Sequence, residues 1–235
     1  MGIRNNLEVA TSWKRAMSFY LDEGPPFLLP EAEDFFASEG ITLVPFEEAN
    51  AVVPTELFNS VKLGRNFLAI PVPQRVNVPI PYEPGAHCEY KIDGVRLSSI
   101  IEEYINSRLS DEKYIFSLST DAYFAIKFKK FSYEILYNIY HGHLNTPMML
   151  CDNCHEFSII FEFDLEINTI SRPLTHTSDL IGGRPDEYWI SYFNDNFLES
   201  ISYSEMHINI INDLYGSVIK GVNIPRRRPA SSHPS

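Results

Sequence analysis

A run of alternating side chains at residues 157–167, FSIIFEFDLEI, constrains the fold more than any other stretch of the sequence. One side of the alternation is entirely apolar and consists of Phe157, Ile159, Phe161, Phe163, Leu165 and Ile167. The other side is mainly polar and consists of Ser158, Ile160, Glu162, Asp164 and Glu166. Successive side chains of a strand point to opposite faces of a sheet, so the pattern predicts one half-buried antiparallel strand.

The segment LSSIIEEYINSRL, residues 97–109, has the apolar periodicity of a helix. Its apolar stripe consists of Leu97, Ile100, Ile101, Tyr104, Ile105 and Leu109. Ser99 and Glu102 have the spacing of a capping box, which predicts a start of the helix near them. Just before this segment, the pair Asp93-Gly94 lies between apolar residues and predicts a tight hairpin turn.

Further segments complete the set of predicted elements. Strand composition is found at residues 41–46, 114–119 and 122–131, and helical patterns at residues 6–20, 30–40 and 202–216. The stretch YWISYFNDNFLES, residues 188–200, fits either a strand or a helix. We therefore expect an α+β fold, with a mixed or mainly antiparallel sheet, helices packed on one face and an N-terminal helical portion.

The chain is expected to form a single globular domain over residues 1–224. Five prolines between Pro71 and Pro84 confine residues 71–85 to extended edge or connector conformations, so this stretch is a candidate sub-boundary. Residues 225–235 are rich in proline and serine and predict a disordered basic tail.

Charge and cysteine content limit the classes of function. The net charge is −12, and the body without the tail arginines Arg226, Arg227 and Arg228 has −15. Such a body repels nucleic acid and anionic membranes and attracts basic proteins. Three cysteines are too few for a disulfide scaffold, and the sequence has neither a signal peptide nor an apolar run that would span a membrane. We therefore expect a cytoplasmic protein, with its oligomeric state open.

Residues 141–155 concentrate the histidines and cysteines of the chain. Zinc takes thiolate, imidazole and carboxylate ligands, and a Cys-x-x-Cys pair offers two sulfurs to one ion. The candidate metal ligands are His141, His143, Cys151 and Cys154, which would belong to a zinc-dependent enzyme. The alternative requires no cofactor: the two cysteines are small, partly buried side chains that lead into the following strand, and the histidines lie at the surface.

The same cysteine pair has three other interpretations. Cys-Asp-Asn-Cys-His matches the attachment pattern of c-type haem, which requires export. A redox dithiol would precede a helix, whereas a strand is predicted here. His87-Cys88-Glu89 and the later Cys151-Asp-Asn-Cys154 resemble the two halves of the zinc deaminase signature, although Pro147 is not adjacent to Cys151. These interpretations leave a hydrolase or a deaminase-like enzyme as the alternative function.

Glu162, Asp164 and Glu166 lie at a period of two, which would place three carboxylates on one strand face. Such a set of oxygens suits Mg²⁺ in a nuclease-like site. The competing interpretation is the solvated face of an antiparallel sheet, which is often polar.

The segment from Cys151 to Leu214 is the most unusual part of the chain in its charge. It has twelve acidic residues against two arginines, a net charge of −10, and its acids interleave with aromatic residues. Exposed aromatic side chains are frequent hot spots of protein interfaces, and a concentrated negative charge accelerates the encounter with a cationic partner. The candidate partner-binding residues are Glu162, Asp164, Glu166, Asp186, Glu187, Tyr188, Trp189, Tyr192 and Asp195.

The leading functional interpretation is a non-enzymatic, acidic, protein-binding inhibitor. It would occlude a basic protein partner, such as the cleft of a toxin nuclease, and would need no cofactor. Immunity proteins that neutralise bacterial toxins act in this way and provide the physical analogy.

Overall fold

The computed structural model describes residues 37–43, 58–63, 66–72, 74–81, 91–109, 111–117, 125–136, 148–152, 157–162, 167–176, 179–198 and 216. These residues contain the strands β1 Thr42–Leu43, β2 Phe58–Leu63, β3 Asn66–Pro71, β4 Val76–Pro81, β5 Lys91–Ile92, β6 Val95–Arg96, β7 Lys113–Ser117, β8 Ala125–Phe128, β9 Met148–Asp152, β10 Ser158–Glu162 and β11 Ile167–Arg172. They also contain the α-helices α1 Leu97–Arg108 and α2 Asp186–Tyr192, a 3-10 turn at Leu174–His176 and a π-helical segment at Phe193–Leu198.

Seven of these strands form one sheet in the order β1-β8-β7-β9-β10-β11-β4. Every neighbouring pair in it is antiparallel. Strands β2 and β3 form a separate hairpin, as do β5 and β6. The described residues therefore contain both helices and an antiparallel sheet, as an α+β fold does.

Strand register aligns two parallel rows of residues across six strands of the sheet. The first row, which we call the aliphatic row, consists of Ile126, Ile115, Leu150, Ile159, Ile170 and Val78. The second, the polar row, is displaced by one residue in every strand and consists of Lys127, Tyr114, Cys151, Ser158, Ser171 and Asn77. Because adjacent residues of a strand point to opposite faces, the two rows lie on opposite sides of the sheet.

The main core lies on the side of the aliphatic row. All six residues of this row belong to one cluster of buried side chains, together with Trp189 of α2 and the apolar stripe of α1. Phe131 also lies in this cluster and stacks on Phe161, with ring centroids 6.1 Å apart. This side of the sheet is therefore the one that α1 and α2 cover.

The helix predicted at residues 97–109 is confirmed, but the capping box expected from Ser99 and Glu102 is not formed. All residues of the apolar stripe are buried, including Leu109, which directly follows the last residue of α1. The helix begins at Leu97 with Arg96 as its N-cap, which makes no side-chain capping bond. Ser99 therefore lies inside the first turn, and Glu102 accepts a hydrogen bond of 2.7 Å from the Tyr133 backbone N–H instead of closing a capping box. The N-cap position is occupied by Arg96, whose side chain has no acceptor for a capping hydrogen bond.

The hairpin turn predicted at Asp93-Gly94 is confirmed. Both residues have positive φ, 51° for Asp93 and 81° for Gly94. This is the combination required by a type I′ turn, which Asp-Gly adopts more readily than most pairs.

The single strand predicted over residues 157–167 is wrong. The chain forms β10 up to Glu162 and reverses, so that Ile167 at the start of β11 pairs with Glu162. Strand β10 is also buried on both faces, since Ser158 and Ile160 are as inaccessible as Ile159 and Phe161. The prediction failed because the alternation of apolar residues continues in sequence across the point where the chain reverses.

Residues 188–200, which fit either element, are helical as far as the structure describes them. Helix α2 ends at Tyr192 and continues into the π-helical segment. Trp189 holds α2 to the core, because its side chain is fully buried and its Nε1–H donates to the Ile181 carbonyl at 3.1 Å.

The proline-rich stretch provides an edge of the large sheet. Strand β4 is the last in the strand order and includes Pro79 and Pro81. Prolines in sheets are confined to such edges, so the extended edge conformation predicted for this part of residues 71–85 is confirmed.

Several predictions fall on residues outside the described ranges. They include the helix at residues 6–20, most of residues 30–40, the helix at 202–216 and the tail at 225–235. The single domain and its sub-boundary stay predictions. Among the described residues, no helix has the length and apolar character needed to cross a membrane.

Candidate functional site

Arg172, the last residue of β11, is the centre of a buried polar cluster. Its side chain is completely inaccessible to solvent. One terminal nitrogen donates to the Asp186 carboxylate and to the Asp179 carbonyl at 3.3 Å, and the other donates to the Tyr104 hydroxyl at 3.3 Å. Arg172 thus connects the sheet to α1 through Tyr104 and to the first turn of α2 through Asp186.

Asp179 extends this cluster towards the surface. Its carboxylate forms an ion pair with Arg108 at 3.3 Å, and its second oxygen lies 3.4 Å from His176 Nδ1. The His176 ring also contacts Phe157 edge-on, with centroids 5.2 Å apart. The cluster therefore joins the end of α1, the 3-10 turn and β11 by charges of both signs.

Burial shifts the pKa of two members of the cluster, Tyr104 and Asp186. Desolvation raises the pKa of the Tyr104 hydroxyl, and Arg172 opposes this effect. Desolvation also raises the pKa of Asp186, again against the attraction of Arg172. A fully buried guanidinium with a carboxylate and a phenol as partners is suited to fixing α2 on the sheet, rather than to transferring protons at neutral pH.

The outward side of α2 and of the segment after it is acidic and aromatic. We call Glu187, Tyr188, Ser191, Tyr192 and Asp195 the α2 surface. Glu187, Ser191 and Asp195 are exposed, and the Ser191 hydroxyl donates to the Asp195 carboxylate at 2.9 Å. The two tyrosine rings are partly buried and stack, with centroids 6.2 Å apart and planes inclined by 22°.

Arg184 continues this stack on the N-terminal side. Its guanidinium carbon lies 5.2 Å from the centroid of the Tyr188 ring, within the range of a cation–π contact. No lysine or arginine occurs between Pro185 and Leu198, so the remainder of this surface is negative.

The predicted partner-binding residues are distributed between the surface, the core and the undescribed part of the chain. Glu187, Tyr188, Tyr192 and Asp195 lie together on the α2 surface. Trp189 lies in the core instead, because it faces Ile181 and the sheet, and Asp186 is turned towards Arg172. Only the backbone of Glu162 is described, at the end of β10, and Asp164 and Glu166 lie outside the described residues.

Of the predicted metal ligands, the structure describes only Cys151. It belongs to β9, its side chain is fully buried, and burial together with the neighbouring Asp152 raises the pKa of its thiol. His141, His143 and Cys154 lie outside the described ranges. Within those ranges, no three histidine, cysteine or acidic side chains converge to hold a metal ion.

Sequence reasoning missed the central role of Arg172. The signal available was an arginine at the end of the β-forming run INTISR, followed by aspartates at positions 179 and 186. That signal does not distinguish a buried arginine from an exposed one, because only the pairing of β11 with β10 and β4 puts residue 172 under both helices.

Comparison of the chain with models of protein families, with curated proteins and with solved structures gives no match.

Proposed function

We propose that the protein is a non-enzymatic, cytosolic binding protein that occludes a basic protein partner, in the manner of an immunity-type inhibitor. The observation that carries this proposal is the α2 surface, where exposed carboxylates flank a stacked pair of tyrosines. The proposal retains two predictions made from the sequence. The fold includes an N-terminal helical portion, and Asp164 and Glu166 are among the residues that contact the partner.

The anchoring of α2 supports this role. Helix α2 is held on the sheet side by Trp189 and by the Arg172–Asp186 ion pair. Glu187 and Ser191 lie on the opposite side of the helix. Binding costs less conformational entropy when the binding residues are already held in position. Tyrosine in particular contributes a large contact area with few rotatable bonds.

Charge supports the choice of a basic partner. The chain has a net charge of −12, and the α2 surface carries two exposed carboxylates, with Arg184 against Tyr188 at its N-terminal end. A potential of this sign increases the association rate with a cationic protein and disfavours an anionic one.

The test begins with capture of the partner by the full chain from its host at low salt, followed by purification of that partner. The expected partner is basic, and its association rate falls steeply as salt screens the charges. The single variants Glu187→Gln and Asp195→Asn should each associate about twofold more slowly or worse. Glu39→Gln is the matched control, because Glu39 is an exposed acid beside β1, at the opposite edge of the sheet from β4.

Two results would overturn the proposal. One is a neutral or acidic partner whose association rate is insensitive to salt. The other is an equal loss of association rate in Glu187→Gln, in Asp195→Asn and in Glu39→Gln, since that would mean that net charge alone, and not the α2 surface, governs binding.

A further inference from the structure

A cleft of about 330 Å³ lies between α1 and the turn at residues 181–184. Its α1 wall is one helical face, and its other wall is the segment from Leu180 to Arg184. The lining residues are Val95, Ile100, Glu103, Tyr104, Ser107, Arg108, Leu180, Gly182, Gly183 and Arg184. The volume is at the low end of the range of about 300–1,000 Å³ that is typical of small-molecule sites.

Glycine allows the turn to approach α1 closely. Gly182 and Gly183 both have positive φ, 58° and 76°, and the turn is closed by reciprocal backbone hydrogen bonds between Ile181 and Arg184. A Cβ atom built on Gly182 would overlap Cγ2 of Ile100. The separation of the two walls is therefore set by a residue without a side chain.

Two arginines line the cleft, and each is paired with an aspartate. Arg108 is 38% exposed and pairs with Asp179, and Arg184 is 19% exposed and pairs with Asp93. Glu103 is the one acidic residue in the lining. The two arginines therefore carry no excess of positive charge, and an anionic ligand has to take the place of one of these aspartate carboxylates.

Apolar side chains occupy the lining beside these cations. Val95 is 51% exposed and Leu180 is 49% exposed, and both are among the three large apolar side chains that are exposed in the described part of the chain. A cleft lined by arginine and aliphatic side chains fits a ligand that is aliphatic at one end and carries, at the other, a carboxylate that replaces an aspartate on the arginine.

The Asp93 carboxylate occupies the place on Arg184 that a ligand carboxylate would take. Its carboxylate contacts Arg184 Nη2 although its side chain is 83% exposed. Exposed ion pairs contribute little stability, so exchanging this carboxylate for another costs little free energy.

We propose that the cleft binds a small organic acid, whose carboxylate pairs with Arg108 and Arg184 and whose aliphatic body contacts Val95 and Leu180. The ligand takes the place of the Asp93 carboxylate on Arg184. The cleft adjoins the α2 surface, because Arg184 also contacts the Tyr188 ring, but the proposed ligand does not depend on a basic protein partner.

The experiment titrates the ¹⁵N-labelled full chain with N-acetyl-leucine, in a buffer free of carboxylates. The amide resonances of Gly182 and Gly183 should shift saturably, with a Kd of about 1 mM for a ligand of this size. N-acetyl-leucinamide lacks the charge and acetate lacks the aliphatic body, so both should bind about tenfold more weakly or worse.

Three variants decide between this site and a nonspecific effect. Asp93→Asn removes the competitor and keeps a turn-forming Asn-Gly pair, so it should tighten binding about two- to fivefold. Arg108→Gln removes one positive charge from the α1 wall and should weaken binding. Glu103→Gln removes one negative charge from the same helix face and should tighten binding. Far-UV circular dichroism verifies that each variant is folded.

The proposal is overturned if N-acetyl-leucinamide shifts the two glycine resonances as strongly as the acid does, or if they do not move at all. It is also overturned if Asp93→Asn fails to tighten binding while remaining folded. Binding of a peptide with a C-terminal leucine more than tenfold tighter than N-acetyl-leucine would assign the cleft to chain termini instead of free acids.

Discussion

Arg172 at the end of β11 and Asp186 in the first turn of α2 form an ion pair in which the arginine side chain is fully buried. The pair joins two elements that are fourteen residues apart in the sequence. Since α2 carries the surface that we propose binds the partner, the position of that surface depends on this pair and on Trp189.

Asp186→Ala should destabilise the protein by about 3–5 kcal/mol, because it leaves the Arg172 guanidinium buried without its carboxylate. Equilibrium unfolding in urea measures the loss. Glu187→Ala is the neighbouring control and should change the free energy of unfolding by less than about 0.5 kcal/mol, since Glu187 is exposed. The double variant Arg172→Met/Asp186→Leu should be more stable than Asp186→Ala, because it removes both charges. Equal stability of Asp186→Ala and the wild type would show that the pair contributes nothing.

Gly182→Ala should destabilise more than Gly183→Ala. Both glycines have positive φ, which costs an alanine about 1–2 kcal/mol. Only at Gly182 does the new Cβ also meet Ile100, whereas no atom lies within 4 Å of a Cβ at Gly183. The difference in free energy of unfolding between the two variants isolates the packing against α1, and its absence would contradict the described approach of the turn to the helix.

Ser158→Ala and Thr169→Val should each stabilise the protein by about 1 kcal/mol. Both hydroxyls are fully buried and have no hydrogen-bond partner among the described residues. Replacing an unsatisfied buried polar group by an apolar one of similar shape removes its desolvation cost.

Ser171→Ala is the matched control in the polar row. Its hydroxyl accepts a hydrogen bond of 2.8 Å from Arg75 Nε, so its loss should destabilise by about 1 kcal/mol. Thermal or urea unfolding of the three variants should therefore give opposite signs. A loss of stability in Ser158→Ala equal to that in Ser171→Ala would mean that Ser158 is hydrogen bonded in solution.

Cys151 should react with iodoacetamide only after unfolding, at any pH from about 7 to 10. Its thiol is buried and has a raised pKa, so the folded protein forms little thiolate while the unfolded chain ionises near the ordinary value. The contribution of this thiol to stability is therefore present at neutral pH and is lost as the pH rises above that ordinary value. Peptide-level mass spectrometry separates Cys151 from Cys88 and Cys154. Rapid labelling of Cys151 in the folded chain at neutral pH would contradict the described burial.

Protein purified without an affinity tag should contain much less than about one zinc ion per chain. The zinc-dependent enzyme, with His141, His143, Cys151 and Cys154 as ligands, is the alternative that this measurement tests. Stoichiometric zinc that is lost in Cys151→Ala would favour the enzyme over the binding protein. Cys88→Ala serves as the control for loss of a cysteine elsewhere.

Local patterns predicted local structure well in this chain. The stripe of α1 and the turn at Asp93-Gly94 follow from periodicity and from the φ preferences of neighbouring residues. The reversal after Glu162 did not follow, because apolar residues alternate on both sides of it. The Arg172 cluster did not follow either, since it depends on four elements that meet only in the folded sheet.

The long-range pairing of β4 with β11 has a consequence for how the chain folds. Arg75, just before β4, bonds Ser171, which is 96 residues further along the chain. This edge of the sheet closes only after β11 has been synthesised, and contacts between such distant segments slow folding. Until then β4 lacks its partner β11, and Pro79 and Pro81 lower its tendency to pair with another chain because they remove backbone donors from it.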